Sequence, residues 1–228
     1  MQPIMCDVWE QPNGVYKQTS FWDEGPIKIF PFLKEIEVLG GEPFIQKDTY
    51  RLIDAVSAVN PQCFWSFVTN AHYPFTKKLE HTLSNINLKQ IQISLDSLDP
   101  SSYQHIRKGG DLKRTLKTID QFTAFRSKYE TTCSISFRFI ISMCVLKSNR
   151  HEIPEFLKFC EEKGAEPQFQ FAFYDPSGQE SLSYLRQDEK IEYLAFLKER
   201  ITEQDWPLIA SFIAPLIDEL KNKKNANL

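Results

Sequence analysis

The sequence holds 228 residues, 42% hydrophobic and 25% charged, with a formal net charge of −3, which describes a globular chain long enough for one sizeable core. No basic excess is present to neutralise a phosphate backbone, which argues against nucleic acid as a partner, and no apolar run nears the roughly 20 residues that span a bilayer. Five cysteines, at 6, 63, 133, 144 and 160, are scattered and odd in number, so no disulfide framework is expected; the cytoplasm is the expected compartment.

In chain order, roughly the first thirty residues show no periodicity and read as irregular. "EIEVLGGEP" reads as a strand ending on a glycine pair. "TYRLIDAVSAV" places Leu52, Ile53, Val56 and Val59 on one helical face. "FWSFVTN" is a second strand, "FTKKLEHTLSN" a short helix, and "LKQIQISLD" a third strand alternating Ile91, Ile93 and Leu95. A helical stripe follows through Leu112, Leu116, Ile119, Phe122 and Phe125, then a strand alternating Ile135, Phe137, Phe139 and Ile141. Asn149 with Glu152 three residues on has the spacing of a capping box, opening a helix that ends at Gly164. "PQFQFAFYD" is a further strand, and two helices near 188–202 and 205–221 close the chain, the second started by Asp205 and Pro207. The tail "KNKKNANL" reads as disordered.

Strand and helix therefore alternate five times, which implies right-handed crossovers and a parallel sheet with helices outside, as an open doubly wound sheet or as a barrel. In either, functional groups gather at the carboxyl ends of the strands. Those ends carry "GGEP" (Gly40 to Pro43), "TNAH" with Thr69 and Asn70, "SLDSLD" with Ser94, Asp96 and Asp99, the Arg138–Ser142 stretch, and "FYDPSG". Glycines let a ligand approach the backbone, and a carboxylate after them, Glu42, can accept hydrogen bonds from an ammonium group. Hydroxyls, amides and carboxylates at the next two ends suit ribose hydroxyls. His72, His81, His105 and His151 share no metal-ligand spacing.

"CDVW", a strand ending in GGEP, a strand ending in TN, and "ISLDSLDPSSYQHIRKGGDLKRTLKTI" together resemble the radical S-adenosylmethionine (radical SAM) superfamily, in the branch associated with SPASM domains and peptide or protein modification. The resemblance covers positions 4 to 180. It implies an α/β fold, a partial (β/α)6 TIM-like barrel lacking its first strand, with a core over 1–180 and a helical extension over 181–228. It implies two cofactors, a 4Fe-4S cluster and S-adenosyl-L-methionine, and reductive cleavage of the latter to a 5′-deoxyadenosyl radical that abstracts hydrogen from a peptide or protein.

Position by position, the resemblance makes Cys6 a cluster ligand, with Trp9 in the loop beyond it. Gly40, Gly41, Glu42 and Pro43 form the turn that receives the methionine amino group. Thr69, Asn70, Ser94 and Asp96 line the cofactor site, and Arg138 approaches it from the fifth strand. The second cluster cysteine is due three residues before Cys6, where Pro3 stands, so the expected ligand set is incomplete. Two rival readings stand beside this one: a non-catalytic remnant serving as a binding scaffold, and an unrelated α/β enzyme using Glu42 and Asp96 as acid and base.

Overall fold

The computed structural model describes residues 2–3, 19–172 and 180–226. In chain order they form β1 (Gln2–Pro3), α1 (Thr19–Lys28), β2 (Glu35–Val38), α2 (Lys47–Val59), β3 (Phe64–Thr69), α3 (Lys77–Ser84), β4 (Asn87–Ser94) and α4 (Pro100–Ile106). β5 (Arg107–Lys108), α5 (Leu112–Cys133), β6 (Arg138–Val145), α6 (Ile153–Glu162), β7 (Glu166–Phe171), α7 (Gln187–Arg200) and α8 (Trp206–Ala226) follow. Five strands make one sheet in the order β2-β3-β4-β6-β7, and β1 pairs antiparallel with β5 as a separate ribbon. This is the strand–helix alternation that the periodicity implies, arranged as a parallel α/β fold.

The chain forms two compact units interleaved in sequence. The first takes Asp7–Ser94 and Asp111–Ile140. In it β2, β3 and β4 pair in parallel, with Val38 opposite Phe67 and Thr69 opposite Ile93. Counting on two residues from Val38 sets Gly40 level with Thr69, so this register brings the GGEP turn, Thr69–Asn70 and Ser94 to one edge of the sheet. Ile91 and Ile93 are fully buried, as their alternation requires. α5 lies under the sheet through Ile119, Phe122, Phe125 and Tyr129, and the Tyr129 hydroxyl ties it to β4 by donating to the Ile86 carbonyl and accepting from the Leu88 amide. Leu116 of the expected stripe is only half-buried; Thr115 and Thr118 take the buried positions beside it.

The second unit takes Met1–Cys6, Leu95–Gly110 and Ile141–Leu228. Within it α8 packs on β7 and α7 on α6. Phe212 of α8 stacks on Phe171 with ring centroids 4.6 Å apart, and the buried Lys190 of α7 donates to Glu219 of α8 at 2.8 Å.

Four local expectations are corrected. The opening is not irregular throughout, because α1 occupies Thr19–Lys28. Gly25 and Pro26 within it, and the lack of an apolar stripe, hide it from a periodicity reading; its anchor is the buried Phe30 ring, which packs edge-on to Phe21 at 5.6 Å. β6 starts at Arg138 rather than near Ile135, which is exposed, and its burial is nearly continuous, the mark of a strand covered on both faces. Asn149 and Glu152 do not form a capping box: neither caps α6, and both side chains reach back to Asp96–Asp99. The helix stops at Glu162, and Gly164, with a φ of 61°, turns the chain away just beyond it. α8 continues through Ala226, into the tail read as disordered.

Candidate functional site

At the sheet edge of the first unit, Glu42 is the centre of a hydrogen-bonded knot. Gly40 and Gly41 have φ of 83° and 59°, the left-handed region that a side chain resists, and they turn the chain sharply off β2. A Cβ on Gly40 would meet nothing within 4 Å, so open space lies in front of that backbone. The turn carries Glu42 inward, 7% exposed. Its Oε1 accepts from Thr69 Oγ1 at 2.7 Å and from the Phe44 amide at 3.3 Å; its Oε2 accepts from the Asn70 amide at 2.8 Å. Pro43 is buried and opens the short 3-10 turn that Glu42 caps. Glu42 is thus a buried, hydrogen-bonded carboxylate and not a solvated one.

Beyond β3, the Asn70 carbonyl oxygen Oδ1 accepts from the His72 amide at 2.8 Å, and Ala71 sits at φ 53°. The Tyr73 hydroxyl lies 2.9 Å from Thr69 Oγ1. Burial pushes the Tyr73 phenol well above its ordinary pKa, and the Glu42 charge pushes the same way. Tyr73 carries no motif signal in the sequence; only its aromatic character and its distance of four residues from Thr69 mark it. Ser94 closes β4 half-buried at this edge, one residue past the register partner of Thr69.

Arg138 is not with them. It is exposed at the amino end of β6, where its Nη1 donates to Gln90 Oε1 at 3.3 Å, and functional residues of a parallel sheet gather at the carboxyl ends.

Asp96 belongs to a knot in the second unit. Its Oδ2 makes an ion pair with Arg107 Nη2 at 2.6 Å without hydrogen-bond alignment, its Oδ1 accepts from the Cys144 amide at 2.9 Å, and its carbonyl accepts from Asn149 Nδ2 at 2.6 Å. Glu152 accepts from Ser97 Oγ and from the Leu98 amide at 2.8 and 2.6 Å. Asp99 caps α4, accepting from the Ser102 amide at 2.8 Å. Arg107, Asn149 and Glu152 thus fix the loop that follows Ser94. Arg107 comes from the "IRKGG" segment, so that motif is joined to "SLDS" by a physical contact.

The donor sets fit the two expected cofactors differently. Open backbone at Gly40 beside a buried carboxylate suits the amino-acid end of S-adenosylmethionine. For the cluster, no group of three or more His, Cys, Asp or Glu is placed to hold a metal among the described residues. Cys63, Cys133, Cys144 and Cys160 are free thiols, and burial pushes Cys144 and Cys160 up to about 12, far from the thiolate a metal needs. Cys6 and Trp9 lie outside the described residues, and Pro3 pairs with Arg107 in the β1–β5 ribbon. No described helix is long and apolar enough to cross a membrane.

Comparison with known proteins gives three findings. Residues 23–160 match the family model described as "Radical SAM superfamily". A GTP 3′,8-cyclase of Campylobacter fetus is 26% identical over 164 residues, 72% of this chain and 47% of that one; its counterpart from Listeria welshimeri is 30% identical over 153 residues, 67% of this chain and 42% of that one. The chain thus spans less than half the length of these relatives. Among solved structures, Streptococcus suis SuiB bound to S-adenosylmethionine matches with a TM-score of 0.50 at 18% identity, over 75% of this chain and 36% of that one. Histidine-tagged anSMEcpe with bound AdoMet matches at 0.52 and 16%, over 79% and 50%.

Proposed function

The chain belongs to the radical SAM superfamily, and on that premise we propose that the sheet edge of its first unit holds S-adenosylmethionine for a hydrogen-abstracting radical enzyme. That family uses a 4Fe-4S cluster with S-adenosylmethionine; together, when bound, they supply a 5′-deoxyadenosyl radical that takes a hydrogen atom from substrate. Among the described residues no three His, Cys, Asp or Glu side chains stand together to hold such a cluster.

The chain's own residues bind and orient. Gly40 opens the backbone to the methionine end, Gly41 continues the left-handed turn, and Glu42 accepts from the ammonium group. Thr69 and Asn70 hold Glu42 in place, Pro43 fixes the turn, and Ser94 offers a hydroxyl at the same edge. Asp96, turned inward on Arg107, acts on the loop after Ser94 and not on the ligand. The observation that carries this reading is the buried Glu42 carboxylate, bonded to both Thr69 and the Asn70 amide, two residues past Gly40, whose backbone has open space in front of it.

The test is anaerobic incubation of the full chain with iron, sulfide, dithionite and S-adenosylmethionine, with 5′-deoxyadenosine measured by mass spectrometry. Dithionite-dependent 5′-deoxyadenosine supports the radical reading. Binding of S-adenosylmethionine without cleavage, under conditions where a cluster has formed, supports the rival scaffold. Two substrate classes are arms of the same assay. A peptide or protein is the class the sequence resemblance implies, and Streptococcus suis SuiB has been solved bound to a precursor peptide. GTP is the class named in the sequence relatives. Faster 5′-deoxyadenosine formation with one class assigns it.

A further inference from the structure

Thr69 Oγ1 has three neighbours and one proton. It donates that proton to Glu42 Oε1 at 2.7 Å. It accepts from the Ala71 amide at 3.1 Å. The third neighbour, the Tyr73 hydroxyl at 2.9 Å, is then the donor, because a hydroxyl supplies only one hydrogen. The chain of bonds is directional: Tyr73 to Thr69 to Glu42. Each member polarises the next, and in a buried setting such chains are stronger than their isolated links.

Tyr73 is held so that it can do this. Its ring is 4% exposed and packs against Phe44 with centroids 5.9 Å apart. Its carbonyl accepts from Thr118 Oγ1 of α5 at 2.6 Å. The approach from β3 to Tyr73 runs through Ala71 at φ 53°, a backbone conformation costly for a residue with a Cβ and kept only where the surroundings determine it. The Ala71 amide bond to Thr69 Oγ1 is part of what keeps it. Strained backbone, a fixed ring and a one-way bond chain all end on one carboxylate oxygen.

We propose that Tyr73 is a positioning residue which, through Thr69, aims the Glu42 carboxylate at the ammonium group of a bound ligand. Thr69 acts on Glu42 and not on the ligand itself. This rests on the reading that Glu42 receives the amino end of S-adenosylmethionine. It adds that the preference for a ligand carrying an ammonium group is set two residues away from the contact.

The test compares the affinities of S-adenosylmethionine and 5′-methylthioadenosine, which lacks the amino-acid end, by equilibrium dialysis on the full chain. Variants are Thr69→Val, Thr69→Ser and Tyr73→Phe, with melting temperature followed for each. The wild type should prefer S-adenosylmethionine. Thr69→Val should lower that preference about tenfold, the effect of one lost bond to a charged group, and Tyr73→Phe about threefold, acting at one remove. Thr69→Ser keeps the hydroxyl and should retain the preference. A purely structural role would weaken both ligands alike and leave the ratio unchanged. If the wild type binds the two ligands equally, the Glu42 reading itself fails. If the wild type discriminates and Tyr73→Phe and Thr69→Val discriminate as well as it does, the positioning role alone is overturned.

Discussion

Arg107 Nη2 stands 2.6 Å from Asp96 Oδ2, and the two side chains are only 7% and 3% exposed. Arg107 Nε has no hydrogen-bond partner among the described residues, so the pair is buried without being fully satisfied. Removing one member leaves the other as an uncompensated buried charge, at a cost of about 3–5 kcal/mol, while removing both together costs much less than the sum. Urea denaturation of Asp96→Asn, Arg107→Met and the double variant checks this. Additive single effects would show that the two side chains act independently.

Glu152 gives the same loop a pH dependence. Burial pushes its carboxyl above the ordinary 4.5, against the pull of the Leu98 and Ser97 donors. A raised acid keeps a proton in the folded state that the unfolded chain has already released. Folding stability therefore falls as pH rises from 4.5 towards the raised value, and levels off above it. In Glu152→Gln that contribution vanishes, so the wild-type stability minus the variant's should decline across this window in denaturation curves at stepped pH. A difference that stays flat or climbs would count against the buried carboxyl.

Gly25 reverses a general rule. Replacing an internal helical glycine with alanine ordinarily stabilises by roughly 0.5–1 kcal/mol. Here the added Cβ would come within 2.7 and 2.8 Å of the Phe30 ring, which is 1% exposed and cannot swing away. Gly25→Ala should destabilise by about 1–3 kcal/mol, and Phe30→Leu in the same chain should relieve part of that loss. Thermal or urea unfolding that finds Gly25→Ala neutral or stabilising would contradict the packing around α1.

The sequence was legible where one period rules. Ile91, Ile93 and Leu95 alternate and are all fully buried, and the order of strands and helices from β2 to β7 follows from such patterns except for the short α4 and β5, which carry no period of their own. Gly40, Gly41, Glu42, Thr69, Asn70 and Ser94 were legible as a set because parallel strands deliver their carboxyl ends to one edge. What escaped was long-range. Asn149 and Glu152 have the spacing of a local cap, yet their partners lie about fifty residues back in the chain. Asp96 stands at a strand end, and its ion pair with Arg107, eleven residues on, has no local signal. Arg138 was misplaced because periodicity fixed its strand and not where that strand begins. Tyr73 was missed because a hydroxyl donor in a loop has no period.

The central claim is that S-adenosylmethionine seats at the turns from Gly40 to Phe44 and Thr69 to Ala71. Amide hydrogen exchange on the full chain, with and without saturating S-adenosylmethionine, reads it directly. The ligand should slow exchange at Gly41 and Glu42, and at Asn70 and Ala71, with no comparable change at the Arg138 end of β6. Protection that appears elsewhere while those amides exchange as before would contradict it.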